Sequence, residues 1–199
     1  FCKSLEMKFN QFYNLTVYRL KNKQAILTDG LKKSKEAKLF QAAQAGDLAG
    51  LDLLLLEGVE IDAVQKPWYH PTGLLDEELH WLYVTMGRTP LLGAAEEGHL
   101  GCLRALLVNK ANVNVQDRAG FHPLYLAAGV EDNCEEMLQL LLQEGAVLDM
   151  QNKAGYTALH NACGSGNAKA IAWLIQAKAD VGLKSESGAT AVHVAVLNQ

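Results

Sequence analysis

The sequence predicts an all-α solenoid in which short helix–turn–helix units stack on one another. Gly87, Gly120, Gly155 and Gly188 open four similar segments and are separated by 33, 35 and 33 residues. Each of the first three segments continues into a leucine-rich run with helical spacing and then a short polar stretch. A fixed period of this length indicates a repeat architecture, in which each unit buries its apolar face only against its neighbours.

The four segments share a motif, and its residues have separate structural roles. The segments read GRTPLLGAAEEGH, GFHPLYLAAGVED, GYTALHNACGSGN and GATAVHVAVLNQ. Thr89, Thr157 and Thr190 stand where a hydroxyl caps the first helix of a unit. Pro90 and Pro123 fit the first helical turn, where a missing N–H has no cost. The period and the T-P-L-H-x-A signature resemble the ankyrin repeat, which implies a protein–protein interaction module with β-turn or hairpin loops between its units.

The repeats divide the chain into an N-terminal extension, an array and an insertion of 19 residues. The extension is either a cap for the array or the end of a preceding domain. We expect further repeats after Gln199, because the fifth unit stops just after its first helix. The predicted segments are 1–34 (extension), 35–66, 87–119, 120–154, 155–187 and 188–199 (repeats, the last one partial), and 67–85 (insertion).

Two departures from the repeat pattern predict local differences between the units. Lys110 and Lys178 stand after a second helix, where other units have glycine, so we expect both lysines in the left-handed conformation. In the third unit, His122 and Tyr125 replace the threonine and histidine of the motif. The hydroxyl–imidazole hydrogen bond that is usual in the family is therefore expected to be absent there.

Charge is unevenly distributed along the chain. Residues 1–34 carry seven Lys or Arg against Glu6 and Asp29, a net charge of +5, so the other residues carry −9 of the total of −4. An acidic array repels phosphate backbones, and we therefore expect no nucleic-acid partner. No apolar stretch approaches the roughly 20 residues that a membrane-spanning helix needs, so no membrane span is expected.

The four cysteines form no C-x-x-C pair, which argues against a zinc site and gives no sign of a disulfide framework. They are Cys2, Cys102, Cys134 and Cys163. Free thiols are typical of a reducing cytosol, although the spacing also allows an oxidising compartment. We expect a cytoplasmic protein, either of a eukaryotic cell or, for a bacterial effector, in the host cytoplasm.

The sequence offers little support for catalysis. His160 and Cys163 lie three residues apart on one predicted helix, as a base and a nucleophile might be arranged. The resemblance implies instead that His160 holds repeat loops together and that Cys163 packs against its neighbours. His70 and His80 match no familiar metal-ligand spacing, and no phosphate-binding glycine motif is present. We expect no catalytic, cofactor or metal site, and no enzyme activity, within this chain.

The resemblance places the binding surface on the concave groove formed by the turn tips and the first helices. Phe121 and Tyr156 occupy equivalent tip positions and form a candidate binding hot spot if they are exposed. The alternative is that each ring folds back onto its neighbouring turn. We expect the groove to bind a protein segment with Lys or Arg beside an apolar residue. The candidate groove residues are Arg88, Glu96, Glu97, Arg118, Phe121, Glu131, Asp132, Tyr156 and Asn161.

The insertion is a second candidate surface, because a structureless loop of this length is unusual in a compact domain. Its aromatic residues either cover the side of the stack or contact a partner, and the sequence leaves both open. They are Trp68, Tyr69, Trp81 and Tyr83. The function predicted from the sequence is that of a scaffold or targeting arm. The alternative is a non-catalytic part of a larger enzyme or effector, and the oligomeric state is left open.

Overall fold

A computed structural model describes residues 35–64 and 87–197, and the extension, most of the insertion and the last two residues lie outside these ranges. The described residues form nine helices and no strand, as the predicted all-α fold requires. The helices are α1 (Lys35–Ala45), α2 (Leu48–Leu56), α3 (Pro90–Glu96), α4 (Leu100–Val108), α5 (Pro123–Ala128), α6 (Cys134–Gln143), α7 (Ala158–Ser165), α8 (Ala168–Gln176) and α9 (Ala191–Leu197).

The helices are arranged in two layers. Consecutive helices pair as α1–α2, α3–α4, α5–α6 and α7–α8, and each pair falls within one predicted repeat. The first helices contact one another in the order α1, α3, α5, α7 and α9, and the second helices in the order α2, α4, α6 and α8. Each unit therefore touches only its neighbours, as expected for a solenoid.

The core lies between the two layers. Small residues on the first helices, such as Ala95 and Ala128, are fully buried and allow the two helices of a unit to approach closely. Leu103 and Leu106 on α4 are also fully buried, as is Leu138 on α6. Burial of one such leucine contributes about 1.5–3 kcal/mol, and this stabilisation depends on the neighbouring units being in place.

The loops between units are held by recurring turns. Oδ1 of Asp117 accepts hydrogen bonds from the N–H groups of Ala119 and Phe121 at 2.9 and 2.8 Å. Asn152 repeats this arrangement one unit later. The N–H of Lys153 donates to the carbonyl of Ala119 at 3.0 Å and so joins two successive loops. A Cβ atom on Gly120 would lie 2.7 Å from the nitrogen of Lys153, so a larger residue would separate the loops.

The backbone after the second helices confirms one prediction from the sequence. Lys110 and Lys178 have φ angles of 69° and 68°, in the left-handed region. Gly58 and Gly145 occupy the corresponding positions with φ angles of 73° and 91°. The two lysines therefore adopt the turn that glycine adopts elsewhere, at a cost of about 1 kcal/mol each.

Candidate protein-binding surface

The fourth unit carries the full set of motif contacts. Nδ1 of His160 lies 2.8 Å from the hydroxyl of Thr157 and accepts from the Thr157 N–H at 3.2 Å. The ring proton is therefore on Nε2, which donates to the carbonyl of Ala189 in the next unit at 3.2 Å. Burial lowers the pKa of His160, against the raising effect of the bond to Ala189. A neutral imidazole thus links two units.

The third unit lacks the hydroxyl–imidazole pair but keeps a bridging imidazole. Nδ1 of His122 accepts from the N–H of Tyr125 at 3.3 Å and caps α5. Nε2 of His122 then donates to the carbonyl of Met150 at 3.1 Å. Burial lowers the pKa of His122 to about 4, so this ring is also neutral near pH 7. Sequence reasoning identified the replacement but missed that His122 supplies the link.

The second unit corrects an expectation about capping. The hydroxyl of Thr89 is buried and makes no capping hydrogen bond to α3. In the fourth unit, the ring of His160 orients the threonine hydroxyl, whereas Leu92 stands at the equivalent position in the second unit and offers no polar atom. Thr190 does follow the expected pattern, with its hydroxyl 2.7 Å from Nδ1 of His193.

Two further links between units were not predicted. Nδ2 of Asn167 donates to the carbonyl of Val130 at 2.6 Å, and Nε2 of His99 lies 3.1 Å from the carbonyl of Gln44. His99 and Asn167 each directly precede the second helix of a unit. A recurring polar residue at this position, which is Asp47 in the first unit, was the available signal in the sequence.

The geometry of His160 and Cys163 does not activate the thiol. Both ring nitrogens of His160 are engaged by Thr157 and Ala189. Burial raises the pKa of the Cys163 thiol, whereas a reactive cysteine requires a lowered pKa. These two residues pack and link units, as the resemblance implies.

The structure contradicts the expected exposure of the aromatic pair in the case of Phe121. Its side chain is 5% exposed, and its ring stacks on that of Tyr125 with 4.9 Å between centroids. Tyr156 is half-buried and meets the ring of His160 edge-on, with 5.4 Å between centroids. Each tip ring thus packs on a residue four positions later in its own unit, and Tyr156 is the more accessible of the two.

Arg88 is also buried rather than exposed to a partner. Its residue is 8% exposed, and its guanidinium forms an ion pair with the half-buried Glu96. Nε of Arg88 lies 3.8 Å from Oδ2 of Asp117. Burial raises the pKa of Asp117, while Arg88 and three backbone N–H groups act to lower it. A buried guanidinium requires such carboxylate partners, and this requirement explains why Arg88 turns inward.

Other predicted groove residues also contact the array itself. Asn161 is half-buried, and its amide donates to the carbonyl of Tyr125 in the preceding unit at 2.7 Å. Glu97 and Arg118 are half-buried as well. Trp68, Tyr69, Trp81 and Tyr83 of the insertion lie outside the described residues.

The most accessible predicted residues are the carboxylates between α5 and α6. Glu131 and Asp132 are exposed in the turn, and Glu135 and Glu136 are exposed in the first turn of α6. Residues 119–152 carry six carboxylates and no Lys or Arg. The acidic turn, defined here as residues 131–136, lies at the far end of α5 from Phe121, at a distance of roughly 9 Å for six helical residues.

Two kinds of site were searched for within the described ranges. None of the helices in residues 35–64 and 87–197 is both long and apolar enough to cross a membrane. In the same ranges, no group of three or more His, Cys, Asp or Glu side chains is placed to hold a metal ion. His70 and His80 lie outside the described residues.

Comparison with known proteins agrees with the two-layer repeat geometry. A family model described as ankyrin repeats, in three copies, matches residues 39–152 and 130–199. The chain belongs to the ankyrin-repeat family. Ankyrin repeats are generally non-catalytic protein–protein interaction modules, so the partners of this array are expected among proteins.

Individual relatives share only the repeat region. The chain is 30% identical over 128 residues to an ankyrin repeat protein of Rickettsia bellii, which covers 59% of this chain and 51% of that protein. It is 36% identical over 110 residues to the mouse B-cell lymphoma 3 protein homolog, covering 55% and 24% of the two chains. For human SH3 and multiple ankyrin repeat domains protein 2, identity is 33% over 113 residues, covering 56% and 6%. The chain therefore spans about half, or less, of the length of these relatives.

Proposed function

We propose that this ankyrin array binds a protein segment that carries both basic and apolar residues. The observation that supports this proposal is the acidic turn, in which four exposed carboxylates fall within six residues. Exposed carboxylates of this kind accelerate association with a basic partner more than they strengthen the final complex. The half-exposed ring of Tyr156 in the next unit offers an apolar contact.

The separation of these two features sets the spacing of the partner's residues. The acidic turn lies beyond the end of α5, whereas Tyr156 lies before the start of α7. The offset is roughly 9 Å along the helices and about 10 Å across one repeat. An extended segment rises about 3.3 Å per residue, so its basic and apolar residues would lie roughly four positions apart. This spacing replaces the adjacent residues expected from the sequence.

The test uses a random peptide library displayed against the full chain. We expect peptides with Lys or Arg a few positions from an aromatic or aliphatic residue to be enriched. The variant Glu131→Lys with Asp132→Lys should lose this enrichment. Glu144→Lys is the matched control, because Glu144 is exposed in the same unit but follows the other end of α6. Selection of peptides without basic residues, or equal enrichment by all three proteins, would contradict the proposal.

A second proposal is that the array is the non-catalytic arm of a longer protein. It is supported by the relatives, since the chain matches 14% of a probable serine/threonine-protein kinase of Dictyostelium discoideum. We also propose a cytoplasmic location, supported by the buried free thiols of Cys102, Cys134 and Cys163. Finding that the natural protein carries disulfide bonds at these cysteines would contradict that location.

A further inference from the structure

The outer helix of the first unit has an apolar residue that is exposed only in this unit. Leu53 lies five residues before Gly58, the left-handed residue that follows α2. Ala105, Leu140 and Trp173 occupy the same position in α4, α6 and α8, and all three are partly buried against the core. Leu53 is 64% exposed. The same structural position is therefore covered in three units and open in the first.

The stacking of the second helices explains this difference. The helices α4, α6 and α8 each lie against the second helix of the unit before them. Within the described residues, no unit precedes α2. One exposed leucine on a protein surface is ordinary, but a terminal unit with an apolar flank needs a covering element. Leu56, which is 85% exposed, extends the apolar surface next to Leu53.

The chain enters the described structure beside this flank. Nζ of Lys35 lies 3.0 Å from a carboxylate oxygen of Glu57, the residue that directly follows α2. The last residue of segment 1–34 is bonded to Lys35 and therefore lies close to the C-terminal end of α2. Fully extended, 34 residues reach roughly 110 Å, so the segment has ample length to cover the flank.

The charges of the two regions are complementary. Residues 39–64 contain five carboxylates and no Lys or Arg, whereas residues 1–34 have a net charge of +5. The segment also carries apolar residues at helical spacing, namely Phe1, Leu5, Phe9 and Val17. Apolar side chains interspersed with basic ones match a leucine flank that is bordered by Asp52 and Glu57.

We propose that residues 1–34 dock on the flank of α2 and form the N-terminal cap of the array. Their apolar side chains cover Leu53 and Leu56, and their Lys and Arg side chains face the carboxylates of the first unit. Of the two roles open from the sequence, this proposal selects the cap. The acidic charge of the first unit is then used within the chain, whereas the acidic turn of the third unit remains available to a partner.

Hydrogen–deuterium exchange of the full chain tests the proposal. In the natural sequence, we expect amides of residues 1–34 to exchange at least about tenfold more slowly than in an unfolded chain, because opening the contact would re-expose a leucine. Leu53→Glu should abolish this protection. Val108→Glu, the same change at a position that is 70% exposed on the outer face of the second unit, should preserve it.

Two further measurements make the result decisive. Unchanged exchange in α7 and α8 shows that each variant is folded, and Asp52→Lys should also reduce the protection if Leu53→Glu disturbs α2 itself. Exchange of residues 1–34 at the unfolded rate in the natural sequence would overturn the proposal. So would protection that survives both Leu53→Glu and Asp52→Lys. Protection that rises with protein concentration would also overturn it, because a second copy would then cover the flank.

Discussion

The third and fourth units place different residues at the same positions. In the third unit, Phe121 stacks flat on Tyr125 and is buried, whereas in the fourth, Tyr156 stands edge-on to His160 and is half-exposed. The residue at the third helical position thus decides whether the tip ring joins the core. Two units with one backbone plan therefore divide the work, because the third buries its ring and the fourth presents it.

The same two units keep one link by different means. His160 bridges to the next unit from the third helical position, and His122 bridges from the cap position three residues earlier in the repeat. The third unit also carries six carboxylates and one lysine, whereas residues 155–187 of the fourth carry three lysines and two carboxylates. The link is retained while the surface charge changes, which separates the structural from the functional part of each unit.

The largest expected effect breaks the contrast between the two rings. Phe121→Ala should lower the free energy of unfolding by about 3 kcal/mol, as for other buried phenylalanines. Tyr156→Ala should cost about 1 kcal/mol, since its ring is only half-buried. Urea denaturation of the full chain measures both values. Equal losses would show that the two rings are equally part of the core.

The second effect compares the two imidazoles through their response to pH. The folded-state pKa of His122, about 4, lies below the unfolded value of about 6.5. Its contribution is therefore complete above about pH 6.5 and is lost as the pH falls toward 4, by at most about 3 kcal/mol. His160 also has a lowered pKa, so its contribution is lost in the same direction.

The variants His122→Gln and His160→Gln isolate these contributions. Each should be less stable than the natural protein at neutral pH, and each should lose less stability on acidification. The measurement is the urea midpoint of the three proteins at several pH values between about 7 and 4. Parallel pH profiles for all three proteins would show that neither imidazole is held neutral by the fold.

The third effect concerns binding and separates Tyr156 from the core. Tyr156→Ala should weaken the binding of a library-selected peptide by about 2 kcal/mol if the ring is a contact hot spot. The loss should persist at high salt, because it comes from desolvation of an apolar surface. Isothermal titration at two salt concentrations measures it. Unchanged affinity would place the apolar contact elsewhere, with the aromatic insertion as the next candidate.

The sequence predicted the repeat fold well because its period and motif recur along the chain. It predicted the left-handed Lys110 and Lys178 for the same reason, since glycine marks the position in other units. It failed for Phe121 and Arg88, whose burial depends on partners that a periodic pattern does not reveal. Arg88 turns inward because Glu96 and Asp117 are near it in space, and Asp117 belongs to the next loop.

The smallest expected effect tests the central claim, that the acidic turn of the third unit recruits a basic protein segment. Glu131→Lys and Glu144→Lys make the same charge change on exposed residues at opposite ends of α6. The decisive measurement is the association rate of a library-selected peptide with each variant at low and at high salt. We predict that Glu131→Lys slows association several-fold more than Glu144→Lys at low salt, and that the difference fades as salt screens the charges. Equal rates for the two variants at low salt would contradict the claim.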